Sequence, residues 1–191
     1  MLSIAFALGF AAALMGIYAF EQEKPSPSPL VCAVGVQTLF SPKSQDRFVA
    51  LMDSAESSLD VMLYQFSNPA MKDALASAVA RGVKVRIILE PRVGSNYDTA
   101  AFLAQNGVEV RWATKNYTNT HSKTIVIDGN RVIVGSTNWS RQAMASNRES
   151  SVVIESAELA QQFQKVFEED WGKASEYVSG VPTPSETFFP G

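Results

Sequence analysis

The sequence predicts an α/β domain, a mixed β-sheet flanked by helices, preceded by an N-terminal hydrophobic helix. Three observations carry that expectation. Short apolar strand-like runs alternate with helix-like runs through residues 31–179, the pattern of a layered α/β fold. The chain has 191 residues and is 46% hydrophobic, enough to bury one real core with appendages to spare. Residues 2–20 carry no charge, and the polar, proline-rich EQEKPSPSP follows them.

The elements follow in order. Val34–Phe40 reads as a strand that stops at Ser41-Pro42. Ser44–Ser57 has helical spacing, with Phe48, Leu51, Met52 and Ala55 on one side. Leu59–Phe66 is a strand, and Pro69–Arg81 is a helix closed by Gly82. Val83–Leu89 alternates as a strand. Asp98–Gln105 is a helix ended by Asn106-Gly107, and Val108–Trp112 is a strand. Ser122–Val134 holds two β-branched strands around a turn. Ser150–Ile154 is a further strand and Ala157–Trp171 the last helix.

Outside this body the sequence reads as three appendages. Residues 1–20 form a membrane-targeting segment, since about 20 apolar residues at 1.5 Å each span a ~30 Å hydrocarbon layer. The poor cleavage site at Ile17-Tyr18-Ala19 leans toward an uncleaved anchor over a signal peptide. The first charges after it, Glu21 and Glu23, favour an inside N-terminus and an exported body, periplasmic or held at the membrane. Residues 21–30 are a linker. Residues 180–191 are a Pro/Ser/Thr-rich tail expected to be disordered.

Composition narrows the chemistry. The net charge of -3 argues against a uniformly basic nucleic-acid binder. From Arg92 to Arg148, however, there are seven Lys/Arg against three Asp/Glu, a basic middle suited to an anionic substrate. A single cysteine, Cys32, excludes an internal disulfide, and a single histidine, His121, leaves no His/Cys set for zinc. No metal and no cofactor is expected.

The informative stretch is HSKTIVIDGNRVIVGSTNWS, His121 to Ser140. It reads as a hairpin around Asp128-Gly129-Asn130. A two-residue Gly129-Asn130 turn would pair Asp128 with Arg131, Lys123 with Ser136 and His121 with Asn138. His121, Lys123, Ser136 and Asn138 would then share one face. Imidazole, ammonium, hydroxyl and carboxamide together suit attack on a phosphodiester: a nucleophile with donors for oxygens that gain charge. Asp128 lies seven residues from His121, about 23 Å along a strand, so its work is to fix the turn or pair with an arginine.

His121-x-Lys123, four residues, Asp128, six residues, then Gly135-Ser136-x-Asn138 resembles the HKD motif of the phospholipase D superfamily, without a gap. The resemblance runs from about Leu39 to Trp171. With its single motif copy, the chain looks most like the small Nuc-type endonucleases and the mitochondrial cardiolipin-hydrolase group. It implies a nuclease-like sandwich fold and metal-independent catalysis. His121, Lys123, Asn138 and Glu149 would be the catalytic residues, with Lys123, Ser136 and Asn138 binding the phosphate and Asp128 and Gly135 structural. Asn147-Arg148-Glu149 is similar to the segment whose glutamate accepts from the Nδ1–H of the nucleophile. The superfamily uses two motif copies, and this chain has one, so the resemblance also implies a homodimer with a shared site. Three functions stay open: nuclease on DNA or RNA, phospholipase on a lipid such as cardiolipin, and a non-catalytic binding module. Tyr64 and Phe66, ending a strand near the expected cleft, read better as core packing.

Overall fold

A computed structural model describes residues 31–179. The expected membrane-targeting segment, the linker and the tail lie outside the described residues. Within them the chain runs β1 (Gly35–Phe40), α1 (Gln45–Asp53), β2 (Ser58–Leu63), α2 (Pro69–Ala80), β3 (Lys84–Leu89), α3 (Ser95–Gln105) and β4 (Glu109–Trp112). It continues with β5 (Lys123–Ile127), β6 (Arg131–Gly135), α4 (Arg141–Ala145), β7 (Ser150–Glu155), α5 (Ala157–Lys173) and β8 (Ser175–Glu176). The strands form one mixed sheet in the order β1-β7-β6-β5-β2-β3-β4-β8. The pairs β2–β3 and β3–β4 are parallel and joined through α2 and α3; the others are antiparallel.

Side-chain alternation sorts the residues of each strand between two layers. On β2, Leu59, Val61 and Leu63 turn to a core shared with Phe48 and Met52 of α1, Leu75 of α2 and Leu103 of α3. Met62 turns the other way and meets Phe167 of α5. Val126 and Val132 of the hairpin also lie on the α5 side, with Ala160. At roughly 1.5–3 kcal/mol for each fully buried aliphatic or aromatic side chain, the larger first cluster dominates the drive to fold. Beneath α5 the charge of Asp60 is compensated: Asp60 takes both Nε and Nη2 of Arg86 at 2.6 and 2.9 Å, and Arg86 also reaches Glu168.

Helix ends follow local chemistry. The Asn68 side chain caps α2 with Pro69 in the first turn, and Ser156 caps α5 by accepting from Leu159 N–H. The sequence missed α4, too short to show a period, and two-residue β8. It also began α3 three residues late, because Asn96 is held by tertiary bonds rather than by helix propensity.

The hairpin corrects one expectation. Its turn has three residues, Asp128-Gly129-Asn130, and the register is Ile127 opposite Arg131 and Thr124 opposite Val134. The expected pairing of Lys123 with Ser136 and His121 with Asn138 is therefore off by one residue, and a one-residue slip exchanges faces. The cause lies at the turn. Asp128 and Gly129 adopt φ of 50° and 64°, and Asn130 N–H closes on the Ile127 carbonyl at 3.1 Å. Asp128 is held there by its carboxylate, which accepts from the backbone N–H groups of Glu56, Ser57 and Ser58 and from the Ser57 hydroxyl. It also faces Arg131 at 3.5 Å, so it both fixes the turn and meets an arginine.

Burial alone would raise the Asp128 carboxyl, but the N–H donors of Ser58, Ser57 and Glu56 outweigh it and hold it below the ordinary carboxylate value. A depressed folded-state value stabilises the fold above the unfolded value of about 3.9, and that contribution is lost as pH falls through the folded value. Asp128→Asn should therefore cost about 1–3 kcal/mol at pH 7 in urea unfolding. The gap to the parent should narrow as the pH is lowered below about 4.

Candidate active site

The ends of β1, β2, β3 and β6 and the starts of β5 and β7 lie along one edge of the sheet. Ligand sites of open α/β sheets occupy that edge, beyond the carboxyl ends of the parallel strands. β5 runs antiparallel to β2, with Lys123 opposite Leu63, and Tyr64 N–H donates to the Ser122 carbonyl at 2.9 Å. His121 and Tyr64 therefore arrive side by side.

The first cluster is His121, Lys123 and Tyr64. The Lys123 ammonium lies 2.9 Å from Nδ1 and 3.2 Å from Nε2 of His121, and donates to the His121 carbonyl at 2.8 Å. It stands 5.0 Å from the centroid of the Tyr64 ring, whose face stabilises a cation. The Tyr64 and His121 rings pack with centroids 4.3 Å apart. Lys123 is 9% exposed, whereas His121 is open to solvent. Burial pushes the Lys123 ammonium below its ordinary value, and the charge of Glu149 opposes that shift.

The second cluster is Ser136, Asn147 and Glu149. The Ser136 hydroxyl donates to one Glu149 oxygen at 2.6 Å, and the Asn147 amide donates to the other at 2.9 Å. Ser136 Oγ also accepts from Ser150 N–H at 3.1 Å. Ser41 ties the strip to the end of β1, taking Glu149 N–H at 2.8 Å and donating to the Asn147 carbonyl at 2.6 Å. Glu149 makes no hydrogen bond to His121 in this chain. The two clusters meet through charge, Glu149 acting on Lys123, rather than through that bond.

Gly135 and Trp139 aim the segment between the clusters. A Cβ at Gly135 would collide with the Ser150 carbonyl and with Ser151, so only glycine lets β7 approach this closely. Beyond Gly135 the chain leaves the ladder and crosses to the end of β2, where Trp139 N–H donates to Gln65 and the Trp139 carbonyl takes the N–H groups of Ser67 and Asn68. The Trp139 side chain is fully buried, edge-on to Phe66 at 5.0 Å. Asn138 is carried on this crossing, its carboxamide oxygen buried with no donor among the described residues. Uncompensated acceptors of that kind call for a functional explanation.

The profile of the family described as "Cardiolipin synthase, PLD-like domain" matches residues 48–171, which include every residue of both clusters except Ser41. The chain belongs to the phospholipase D superfamily. The chain spans less than two thirds of the length of the first curated relatives it matches. The chain is 31% identical over 156 residues to the mitochondrial cardiolipin hydrolase of Danio rerio, covering 80% of this chain and 65% of that protein. It is 34% identical over 131 residues to a phospholipase D of Rickettsia conorii, covering 67% and 65%. Among solved structures, the phospholipase D family member Nuc from Salmonella typhimurium superposes with a TM-score of 0.72 at 30% identity, covering 76% of this chain and 99% of that one. NucT from Helicobacter pylori shares the fold, with a TM-score of 0.67 at 19% identity.

Within this phospholipase D fold, sequence reasoning missed Tyr64 as a site residue. Of the two aromatics expected to pack in the core, Phe66 is fully buried while Tyr64 is half-buried against His121. The signal for Tyr64 is its place one residue past β2, opposite the entry to the motif strand. Ser41 carries no local signature, because it acts on Asn147 and Glu149 across more than 100 residues of chain. No cluster of three or more His, Cys, Asp or Glu side chains that could hold a metal ion occurs among the described residues.

A buried ammonium that must be charged to hold phosphate loses its proton, and activity with it, as pH rises. The alkaline limb of kcat/KM should therefore fall below the ordinary lysine value of 10.5. Glu149→Gln removes the charge opposing the shift and should move the limb lower still. Lys123→Arg should abolish it up to pH 11. A pH profile of the three proteins checks all of this.

Proposed function

We propose that the chain is a metal-independent phosphodiesterase, most specifically a Nuc-like endonuclease that cleaves nucleic-acid phosphodiesters through a phosphohistidine. The observation that carries this reading is the His121–Lys123 pair, an exposed imidazole with a buried ammonium against it at 2.9 Å. In the first step a ring nitrogen of His121 attacks phosphorus while Lys123 and Asn138 supply donors to the phosphoryl oxygens; the Ser136 hydroxyl, its one proton given to Glu149, holds that carboxylate instead. The P–O bond to the leaving group breaks, and that oxygen takes a proton. In the second step water attacks the phosphohistidine, giving up a proton to a base, and His121 is released.

The first step needs an acid, and the second a base, separate from the nucleophile. The chain has one histidine. A second copy of the chain supplies another, so the active unit is a homodimer in which one His121 is the nucleophile and the other the general acid and base. C₂ pairing brings like residues together around an axis. Likeness to Nuc over 99% of that chain, together with the basic stretch Arg92–Arg148, supports nucleic acid as substrate. A second reading, a phospholipase acting on a lipid such as cardiolipin, is favoured by the cardiolipin-hydrolase relatives and by the apolar residues 2–20. In either case residues 2–20 direct the body out of the cytoplasm, to the periplasm or the outer face of a membrane.

One assay series separates these readings. The chain is presented, in EDTA, with single-stranded DNA, duplex DNA, RNA and cardiolipin vesicles. We expect cleavage of nucleic acid undiminished by chelation. Turnover of cardiolipin alone would favour the lipid reading, and loss of activity restored by added metal would sink metal independence. Mixed dimers of wild-type and His121→Ala chains, isolated through two tags, should retain under a tenth of the wild-type rate per dimer. Half or more would rule out the shared site.

A further inference from the structure

His121 is exposed, and residues 113–122, which lead to it from β4, belong to no strand or helix. Motif residues alone do not hold that approach still. The group that does lies outside the motif. Glu90, the first residue after β3, is 0% exposed. One carboxylate oxygen accepts from the Arg92 guanidinium at 2.8 Å and from Arg92 N–H at 3.0 Å. The other accepts from the backbone N–H of Thr120, the residue before His121, at 2.7 Å. Arg92 extends the grip by donating to the Tyr117 carbonyl at 3.1 Å.

The same turn holds the ring that packs on His121. Asn96, also 0% exposed, donates through its amide to the Glu90 carbonyl at 2.9 Å and to the Tyr64 carbonyl at 2.8 Å. Its oxygen accepts from Phe66 N–H at 2.8 Å. The backbone entering His121 and the backbone of its aromatic neighbour are thus fastened to one buried point. A buried carboxylate is costly and must be compensated. Arg92 alone would offer a compensating charge, but the short second bond is spent on the loop before the nucleophile.

We propose that Glu90 is a positioning residue for His121: its carboxylate fixes the Thr120 amide and, with Asn96, holds the imidazole against Tyr64 in the heading needed to reach phosphorus. Its bearing on rate rests on the reading of His121 as nucleophile; its bearing on geometry does not. Glu90→Gln offers one side-chain acceptor where two are used. Glu90→Asp keeps the charge but shortens the reach to Thr120.

Because the chain has one histidine, a single imidazole spin system reports the site by NMR. In whichever variant keeps the parent's far-UV spectrum and cooperative melting, the His121–Tyr64 ring cross-peaks should be lost or strongly weakened. The same variant should show kcat at least tenfold lower with KM changed less than threefold. Unchanged cross-peaks in a folded variant would overturn the proposal whatever the rate. So would a kcat within twofold of wild type despite their loss. If both variants fail to fold, Glu90 is a stability residue and the proposal is wrong. The cross-peaks need no turnover, so a failure of His121 as nucleophile, shown by an active His121→Ala chain, is distinguishable from a failure of Glu90.

Discussion

A lysine ammonium taken out of water must replace its hydration shell with fixed acceptors, and at this site Lys123 finds them almost entirely in one residue. The His121 carbonyl lies at 2.8 Å and the imidazole edge at 2.9 Å, with the Tyr64 face behind and the Glu149 charge acting from the second cluster. Desolvation of an unpaired cation costs several kcal/mol, so this arrangement constrains everything near it. Swinging the imidazole away would leave the ammonium with the His121 carbonyl alone, and removing Tyr64 would uncover it. A buried ammonium thus stands beside an exposed imidazole, the pairing on which the proposed attack on phosphorus rests.

The hairpin that carries the pair is pinned at both ends, which explains the spacing of the motif. At its turn, Asp128 collects three backbone N–H groups from Glu56, Ser57 and the first residue of β2, Ser58. At its open end, Gly135 admits β7 without a side chain in the way, and Trp139 plugs the core beside Phe66. Asp128 does its work some 23 Å along the strand from His121 and still governs the site, because it sets the register of the strand that presents Lys123.

The sequence made the architecture legible because strand and helix periods are local properties. The helix at Pro69–Arg81 and the strand at Val83–Leu89 were readable from alternation, capping residues and a closing glycine; the strand expected over Leu59–Phe66 ends at Leu63, with Phe66 in an isolated bridge to Trp139. The His121–Lys123 pair was readable because residues two apart in extended chain fall on the same side, although β5 itself begins only at Lys123. The hairpin register was not, since it turned on whether Asp128 adopts a left-handed backbone, and its bonds to Ser57 and Ser58 decide that across about 70 residues of chain. The grouping of Ser136 with Glu149 was hidden for the same reason. So was Glu90, which looks like an ordinary charge at a strand end until burial and the Thr120 amide are seen together. Tyr64 marks the boundary: it was expected within a strand, but β2 ends at Leu63 and its partner His121 was not foreseen.

Attack on phosphorus by His121, and not directly by water, requires two displacements. A chiral phosphorothioate diester hydrolysed in isotopically labelled water tests this through the configuration of the product at phosphorus. Two in-line steps through a phosphohistidine give overall retention, and that is the result the account expects. Inversion would mean a single attack by water and would contradict the role given to His121.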